Sequence, residues 1–391
     1  MNFKVLSVIL FVVGILLGFV VGYSLTGFQS HGQTKNQGVS VIAAGSLGYA
    51  FNEVAQNWSA LYPNIPITAN GGIFMGSVKA ADEIAVLHEH YDIFASAASD
   101  VIPMVLSPNY AQWMVVFATN EISILYSPDS NATVNLNGTI MKVSQINETN
   151  WFMFITAPGV TVGVSNGSTD PAGFQAIQAM KLAGIYLVQH DNYQYNAWFH
   201  GVLGYPLNDT NAIFQSIWLT KYKTGNLMPV GIEASMDAMI KTGKPYFGIS
   251  YRSLAKSYGL GYVELPWQVN LGSTNISAIK YYSQVNSSGA PIGLSGTPSE
   301  YSSPAGPIFY AVTIPSTATN VTLGIYYLTI LLGPVGHQIL INTYFDPLPS
   351  PYLVLLTKNA SFPSILNSYV EPLPGYLQSG PGYISIMGAQ S

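Results

Sequence analysis

Three residues that could help bind an anion without positive charge stand where apolar helical patterns begin: Ser46 before Leu47, Ser77 before Val78 and Asp170 before Pro171. Each type is favoured as an N-cap, and proline suits a first helical turn because its missing N–H costs nothing there. Taken singly, each is explained as a plain cap. Together they mark three helix starts, where unpaired amides at the positive end of the dipole bind oxyanions without Lys or Arg. Gly45 beside Ser46 and Gly76 beside Ser77 would let a ligand approach the backbone closely.

Catalytic chemistry has one motif to rest on. Residues 163–167, GVSNG, match the nucleophile-elbow pattern after a strand, but an elbow needs its helix directly after the serine, and Pro171 delays it. A membrane-tethered surface hydrolase is therefore the lesser reading, and neither enzyme activity nor a cofactor is expected. His88-Glu89-His90 lacks the spacing that puts two histidines on one helical face, so it reads as a solvated helix end. Cysteine is absent, which removes disulfides, thiolate metal sites and cysteine nucleophiles. Only 8% of residues are charged and the net charge is -5, which leaves no basic footprint for a phosphate backbone and no nucleic-acid partner. A chain this poor in cations would need a neutral anion site.

These residues need elements to hold them. Residues 39–43 read as a buried strand, and Leu47, Ala50, Phe51, Val54, Trp58 and Leu61 recur at helical spacing. The pattern repeats, with strands expected at 65–69 and 92–95 around a helix at 78–87. An extended stretch at 117–126 leads to a loop-like segment at 127–150. A second series opens with a strand at 160–164 and a helix from Pro171 through Ile185. Residues 191–229, rich in Tyr and Asn, carry no clear period. A helix at 234–240, a strand at 246–250, an extended run at 308–314 and an apolar helix at 323–332 follow. The tail after Pro347 is expected to pack without regular structure. Trp58, Trp113 and Phe117 read as core. Short strands alternating with helices argue for a parallel sheet in an α/β unit. Two series joined by extended segments predict two lobes, residues 38–120 with 308–391 and residues 121–307, with ligand in the cleft outside the strands' carboxyl ends.

Segment 38–47, GVSVIAAGSL, with Ala50, Phe51 and Glu53, begins an ordered set of matches. It continues through 91–96 YDIFAS, Ile102-Pro103, 110–113 YAQW, 117–120 FATN, 170–173 DPAG, 251–255 YRSLA and 262–266 YVELP. This set resembles archaeal-type molybdate/tungstate-binding proteins over residues 38–345. The resemblance implies a type II periplasmic-binding-protein fold and an extracellular receptor of an ABC importer, partnered by a permease and an ATPase. It further implies that Gly45, Ser46, Ser77, Pro171, Ala172 and Tyr251 surround the oxyanion. Asp170 and Glu233 would bond the metal centre itself, raising it from tetrahedral to octahedral coordination, with Glu53 or Asp237 as the alternative to Glu233. A hard hexavalent centre accepts carboxylate oxygens, which would only repel sulfate. A receptor for another oxyanion such as sulfate is the alternative. Several positions depart from the family pattern: Ala98 where an acidic residue is expected, Pro171 before Ala172 without a special feature, Glu121 where a basic residue is common, and a weakly matched segment around Glu233.

The N-terminus sets the compartment. Lys4 precedes an apolar run from Val5 to Tyr23, long enough for a membrane anchor and also compatible with a signal peptide. Residues 1–28 are accordingly expected to be one of these and residues 29–37 a polar linker. The remainder would lie at the extracellular face, anchored or secreted. Gly14, Gly18 and Gly22 form a small-xxx-small pattern, although glycine is common in such segments. Sequons such as Asn57, Asn131, Asn147, Asn275 and Asn359 fit an exported glycoprotein.

Overall fold

Runs of Val, Ile, Ala and Phe become buried strands, and the segments between them become helices that cover those strands. The computed structural model describes residues 38–67, 71–167, 169–190, 193–204, 217–231, 233–286 and 304–378. The apolar segment 1–28 and the linker 29–37 lie outside the described residues. Among the described residues no single helix is long and apolar enough to cross a membrane.

Strands β1 (Val41–Ala44), β2 (Ile73–Met75), β3 (Ile93–Ser96) and β4 (Trp113–Asn120) come first. Then follow β5 (Ile122–Tyr126), β6 (Thr133–Leu136), β7 (Thr139–Lys142), β8 (Val162–Ser165), β9 (Leu227–Val230), β10 (Phe247–Tyr251) and β11 (Gly261–Glu264). β12 (Ile308–Thr313), β13 (Asp346–Leu355) and β14 (Glu371–Pro372) complete the set. A seven-stranded sheet has the order β14-β13-β4-β12-β3-β1-β2, and a five-stranded one β11-β5-β10-β8-β9. Both are mixed rather than the expected parallel, because β12 and β5, which enter the sheets at the crossings, run antiparallel to their neighbours. The helices that matter below are α1 (Gly48–Leu61), α2 (Ser77–Ala85), α3 (Pro171–Gln189), α4 (Glu233–Lys241), α5 (Arg252–Tyr258), α6 (Val321–Leu331) and α7 (Pro334–Asn342).

Each sheet with the helices that cover it is termed a lobe, and one residue separates the two sheets on the first crossing. Asn120 pairs with Ile308 in the larger sheet, whereas Ile122 pairs with Tyr251 in the smaller. The extended stretch at 117–126 is thus two strands in two sheets, broken at Glu121. α3 and α4 cover the smaller sheet, α3 touching β5, β8 and β10, and α4 touching those three and β9. In the larger lobe α1 buries Ala50, Phe51, Val54 and Trp58, and the Trp58 indole donates to Ile65 O at 2.7 Å.

Three expected elements differ. Of the strand expected at 65–69, residues 68–70 lie outside the described residues, and β2 follows at Ile73–Met75. Gly71 and Gly72, at φ 92° and 147°, turn the chain there, and at 67 only a single bridge to Val39 forms. The loop-like segment 127–150 contains the β6–β7 hairpin, closed by Asn137 and Gly138 at φ 53° and 88°; Asn-Gly is the residue pair such a turn requires. The tail after Pro347 begins with β13. Its ladder with β4 is irregular between Pro347 and Tyr352, where Pro349 and Pro351 sit, and regular from Tyr352 to Leu355. Prolines cannot donate to a ladder, so they collect at the irregularity.

Candidate functional site

Ser46, Ser77 and Asp170 are all fully buried, and each is held differently. After β1 the chain makes a 3-10 turn at Gly45–Leu47, and α1 starts at Gly48 with Leu47 as its N-cap. The Ser46 hydroxyl does not cap it and lies 2.9 Å from Tyr310 Oη on β12. Ser77 is the first residue of α2, with Gly76 at the N-cap. Its Oγ accepts from Ala97 N at 3.0 Å. The cap reading is therefore corrected for both serines, because a partner on a neighbouring strand or loop captures each hydroxyl. Asp170 is the N-cap of α3, with Pro171 at the first helical position, and its Oδ1 accepts from Ala172 N at 3.1 Å. Asp170 thereby engages the amide of Ala172, a residue that the resemblance assigns to the oxyanion.

The two lobes meet at these residues. A Cβ added to Gly76 would stand 2.2 Å from Thr169 O and 3.2 Å from Asp170 Cα. Only glycine lets the start of α2 in the larger lobe approach the start of α3 in the smaller so closely. Phe174, in the first turns of α3, belongs to the apolar cluster that contains Ile42, Val78 and Ala81 of the larger lobe. α4 packs against the Gly45–Leu47 turn, and Glu233 is its first residue. Asp237 lies one turn further along the same helix. Tyr251 ends β10; its hydroxyl donates to Gln175 Oε1 at 2.6 Å and its ring lies 6.0 Å from that of Tyr310. Tyr310 also accepts from Asn120 Nδ2 at 3.3 Å, and Asn120 Nδ2 reaches Ser253 Oγ at 2.8 Å.

The structure thus links Ser46 to Tyr251 through Tyr310, and sets Gly76 and Ser77 beside Asp170, Pro171 and Ala172. Four polar residues in this network were not singled out from sequence: Tyr310, Asn120, Ser253 and Gln175. A signal existed for Tyr310, since a tyrosine inside an apolar strand must find a partner for its hydroxyl. The others carried none.

The competing constellations do not assemble. Ser165 ends β8, five residues before the N-cap Asp170 is reached, and its hydroxyl is buried without a protein partner. His88 pairs with Tyr110 Oη at 3.1 Å and His90 with Thr317 O at 2.8 Å, both beyond the end of α2. Among the described residues no group of three His, Asp or Glu could hold a metal cation. Arg252 forms both ion pairs found among the described residues, with Glu121 at 3.0 Å and Asp346 at 2.7 Å. Burial pushes the Glu121 carboxyl up to about 7 although Arg252 pulls it down.

Residues 39–346 match the family described as bacterial extracellular solute-binding protein. The chain belongs to that family. A solute-binding protein of Thermoplasma acidophilum is 30% identical, with 95% of both chains covered. The molybdate/tungstate-binding protein of Thermococcus kodakarensis is 27% identical, covering 81% of this chain and 84% of its own. Among solved structures, the periplasmic molybdate-binding protein of Azotobacter vinelandii has a TM-score of 0.50 at 11% identity, covering 80% of this chain and all of that one; this likeness concerns the fold. The protein is thus an extracellular solute-binding protein and not an enzyme.

Proposed function

We propose that this solute-binding protein is the receptor of an ABC importer and captures molybdate or tungstate between its lobes. The observation that supports the reading is the close approach of the α2 start to Asp170 at the α3 start. Neutral donors and a carboxylate meet there, in a chain with few cations. Gly45, Ser46, Ser77, Pro171, Ala172 and Tyr251 would surround the oxyanion, with helix-start amides supplying positive potential. Asp170 and Glu233 would bond the metal centre, which as a hard ion takes oxygen ligands. Two carboxylates repel an anion that offers no such centre, so the same pair that binds tungstate rejects sulfate. The likeness to the Thermococcus kodakarensis protein supports this choice of oxyanion. A permease and an ATPase would receive the ligand, and the apolar segment 1–28 would keep the receptor at the membrane.

The test is ligand-dependent thermal stability of the purified protein, because a ligand that binds only the native state raises its melting temperature. Tungstate and molybdate should raise it and sulfate should not. Asp170→Asn and Glu233→Gln should each weaken tungstate binding by about tenfold or more, or ~1.4 kcal/mol, with the unliganded melting curve preserved. An equal response to all three anions would overturn metal coordination as the basis of recognition and leave a general oxyanion receptor.

A further inference from the structure

The face of the smaller sheet beneath α4 carries three buried hydroxyls that the site described above does not use. Ser123 on β5, Ser165 on β8 and Ser250 on β10 are each fully buried, and none of their Oγ atoms meets a protein donor or acceptor. Ser123 and Ser250 are directly paired across β5 and β10, so both side chains leave the same face of the sheet. Gly248 and Gly163 are paired across β10 and β8, and Ser250 and Ser165 stand two positions further along those strands. With a side-chain period of two, each serine shares the face of its glycine. That face is the one under α4, since a Cβ at Gly248 would lie 2.2 Å from Met236 Sδ and one at Gly163 would lie 3.5 Å from it.

The row also lies at a defined end of α4. β9 pairs with β8 through Val230 and Ser165, and three residues after Val230 the chain starts α4 at Glu233. α4 therefore begins at the serine end of the sheet and runs back over the glycines, with Met236 and Ile240 seated on them. Glycines make room for the helix, and the serines follow towards the end of the sheet from which α4 starts. These hydroxyls do not bond one another, and strands about 4.8 Å apart leave a separation that an oxygen about 2.8 Å from each can bridge. Buried hydroxyls are rarely left unpaired, and ordered water is the usual partner where protein supplies none.

We infer that Ser123, Ser250 and Ser165 form an internal water-binding row, with one water between each neighbouring pair, that seats the first turn of α4. The three serines are positioning residues: they act on the ligand through the placement of Glu233, a role that rests on the proposed function. Hydroxyls in place of Val or Thr leave this turn on an adjustable, hydrated support, whereas α3 on the opposite face is anchored directly by the Tyr251–Gln175 bond.

The test combines a high-resolution crystal structure of the ligand-free full chain with Ser165→Ala, Ser250→Ala and the double variant. The row predicts an ordered water between each pair of neighbouring serines. It also predicts tungstate binding about tenfold weaker in the double variant (~1.4 kcal/mol), with the ligand-free melting temperature unchanged or raised, because the change removes polar groups that protein does not satisfy. Serines bonded directly to protein, with no water between them, would overturn the row. Waters present with affinity unchanged in the double variant would overturn its positioning role. Failure of the wild-type protein to bind tungstate or molybdate would strike the proposed function instead, and the crystallographic waters would still decide the row.

Discussion

At the scale of single residues, this protein repeatedly buries a carboxylate among neutral donors. Asp92 is fully buried and accepts from Ser40 N and Ser40 Oγ, each at 2.9 Å, and from Asn320 N at 2.6 Å. Hydrogen bonds to a charged group are worth more than neutral ones, and removing one side of such a set leaves buried donors unpaired. Asp92→Ala should therefore lower stability by about 3 kcal/mol in urea denaturation; a loss below about 1 kcal/mol would show that water replaces the carboxylate. Asp170 follows the same logic at a helix start, and its cap was readable because both partners lie within three residues. The partners of Ser46 and Ser77 were not readable, because Tyr310 is 264 positions away and Ala97 is 20. Local chemistry says that a serine wants a partner, not which one it finds.

At the scale of elements, the helix Trp151–Thr156 ends on Ala157, and the following turn leads into β8. Lys221 is 5% exposed and donates to Ala157 O at 2.8 Å and Val160 O at 2.7 Å. Burial pushes its ammonium down to about 7. A lysine depressed in the fold binds fewer protons there than in the unfolded chain, so the cost is complete below about pH 7 and is relieved as pH rises towards 10.5. A neutral amine still has two N–H groups for the two carbonyls. Stability relative to Lys221→Met should therefore increase between about pH 7 and pH 10 by more than about 1 kcal/mol. Denaturant unfolding at stepped pH reads this directly, and a constant difference would contradict it. This part of the chain, rich in Tyr and Asn, offered no period to the sequence reading. Its elements are short, and a five-residue helix such as Leu219–Lys223 has too few turns to print one.

At the scale of the whole molecule, the lobes are tied beside the first crossing. Arg252, at the start of α5, holds Glu121 at the crossing and Asp346 at the start of β13 in the other lobe, and donates to Tyr344 O at 3.3 and 3.2 Å. Hinge closure of a two-lobed receptor turns on such crossing residues. Burial raises Glu121 from its ordinary 4.5 to about 7, so its contribution favours the fold below about pH 4.5 and is lost as pH rises to about 7. Arg252→Met removes the attraction that opposes burial. Its cost should be small near pH 5 and about 2–3 kcal/mol near pH 8, where an unpaired carboxylate is left half-buried. Equal losses at the two pH values, measured by urea unfolding, would show that Arg252 acts through packing alone.

Periodicity and residue type by themselves determined the α/β class, the first helix of each series, the cap at Asp170 and, to within a residue at each end, the strand expected at 246–250 and observed at Phe247–Tyr251. All of these follow from contacts within a few residues or from one face being apolar. The apolar helix near 323–332 was legible for the same reason, as α6 buries Gly324, Tyr327, Leu328, Ile330 and Leu331. Only the tertiary structure decided that the stretch through Glu121 splits between two sheets, that the tail pairs with β4, and that Tyr310 joins Ser46 to Tyr251. Sheet partners and hydroxyl partners lie far apart along the chain, and a pattern of hydrophobicity specifies that a strand is buried without specifying its neighbour. Likewise, three helix starts are separate in the sequence, and only the tertiary structure brings two of them together, through the close approach of Gly76 to Thr169 and Asp170.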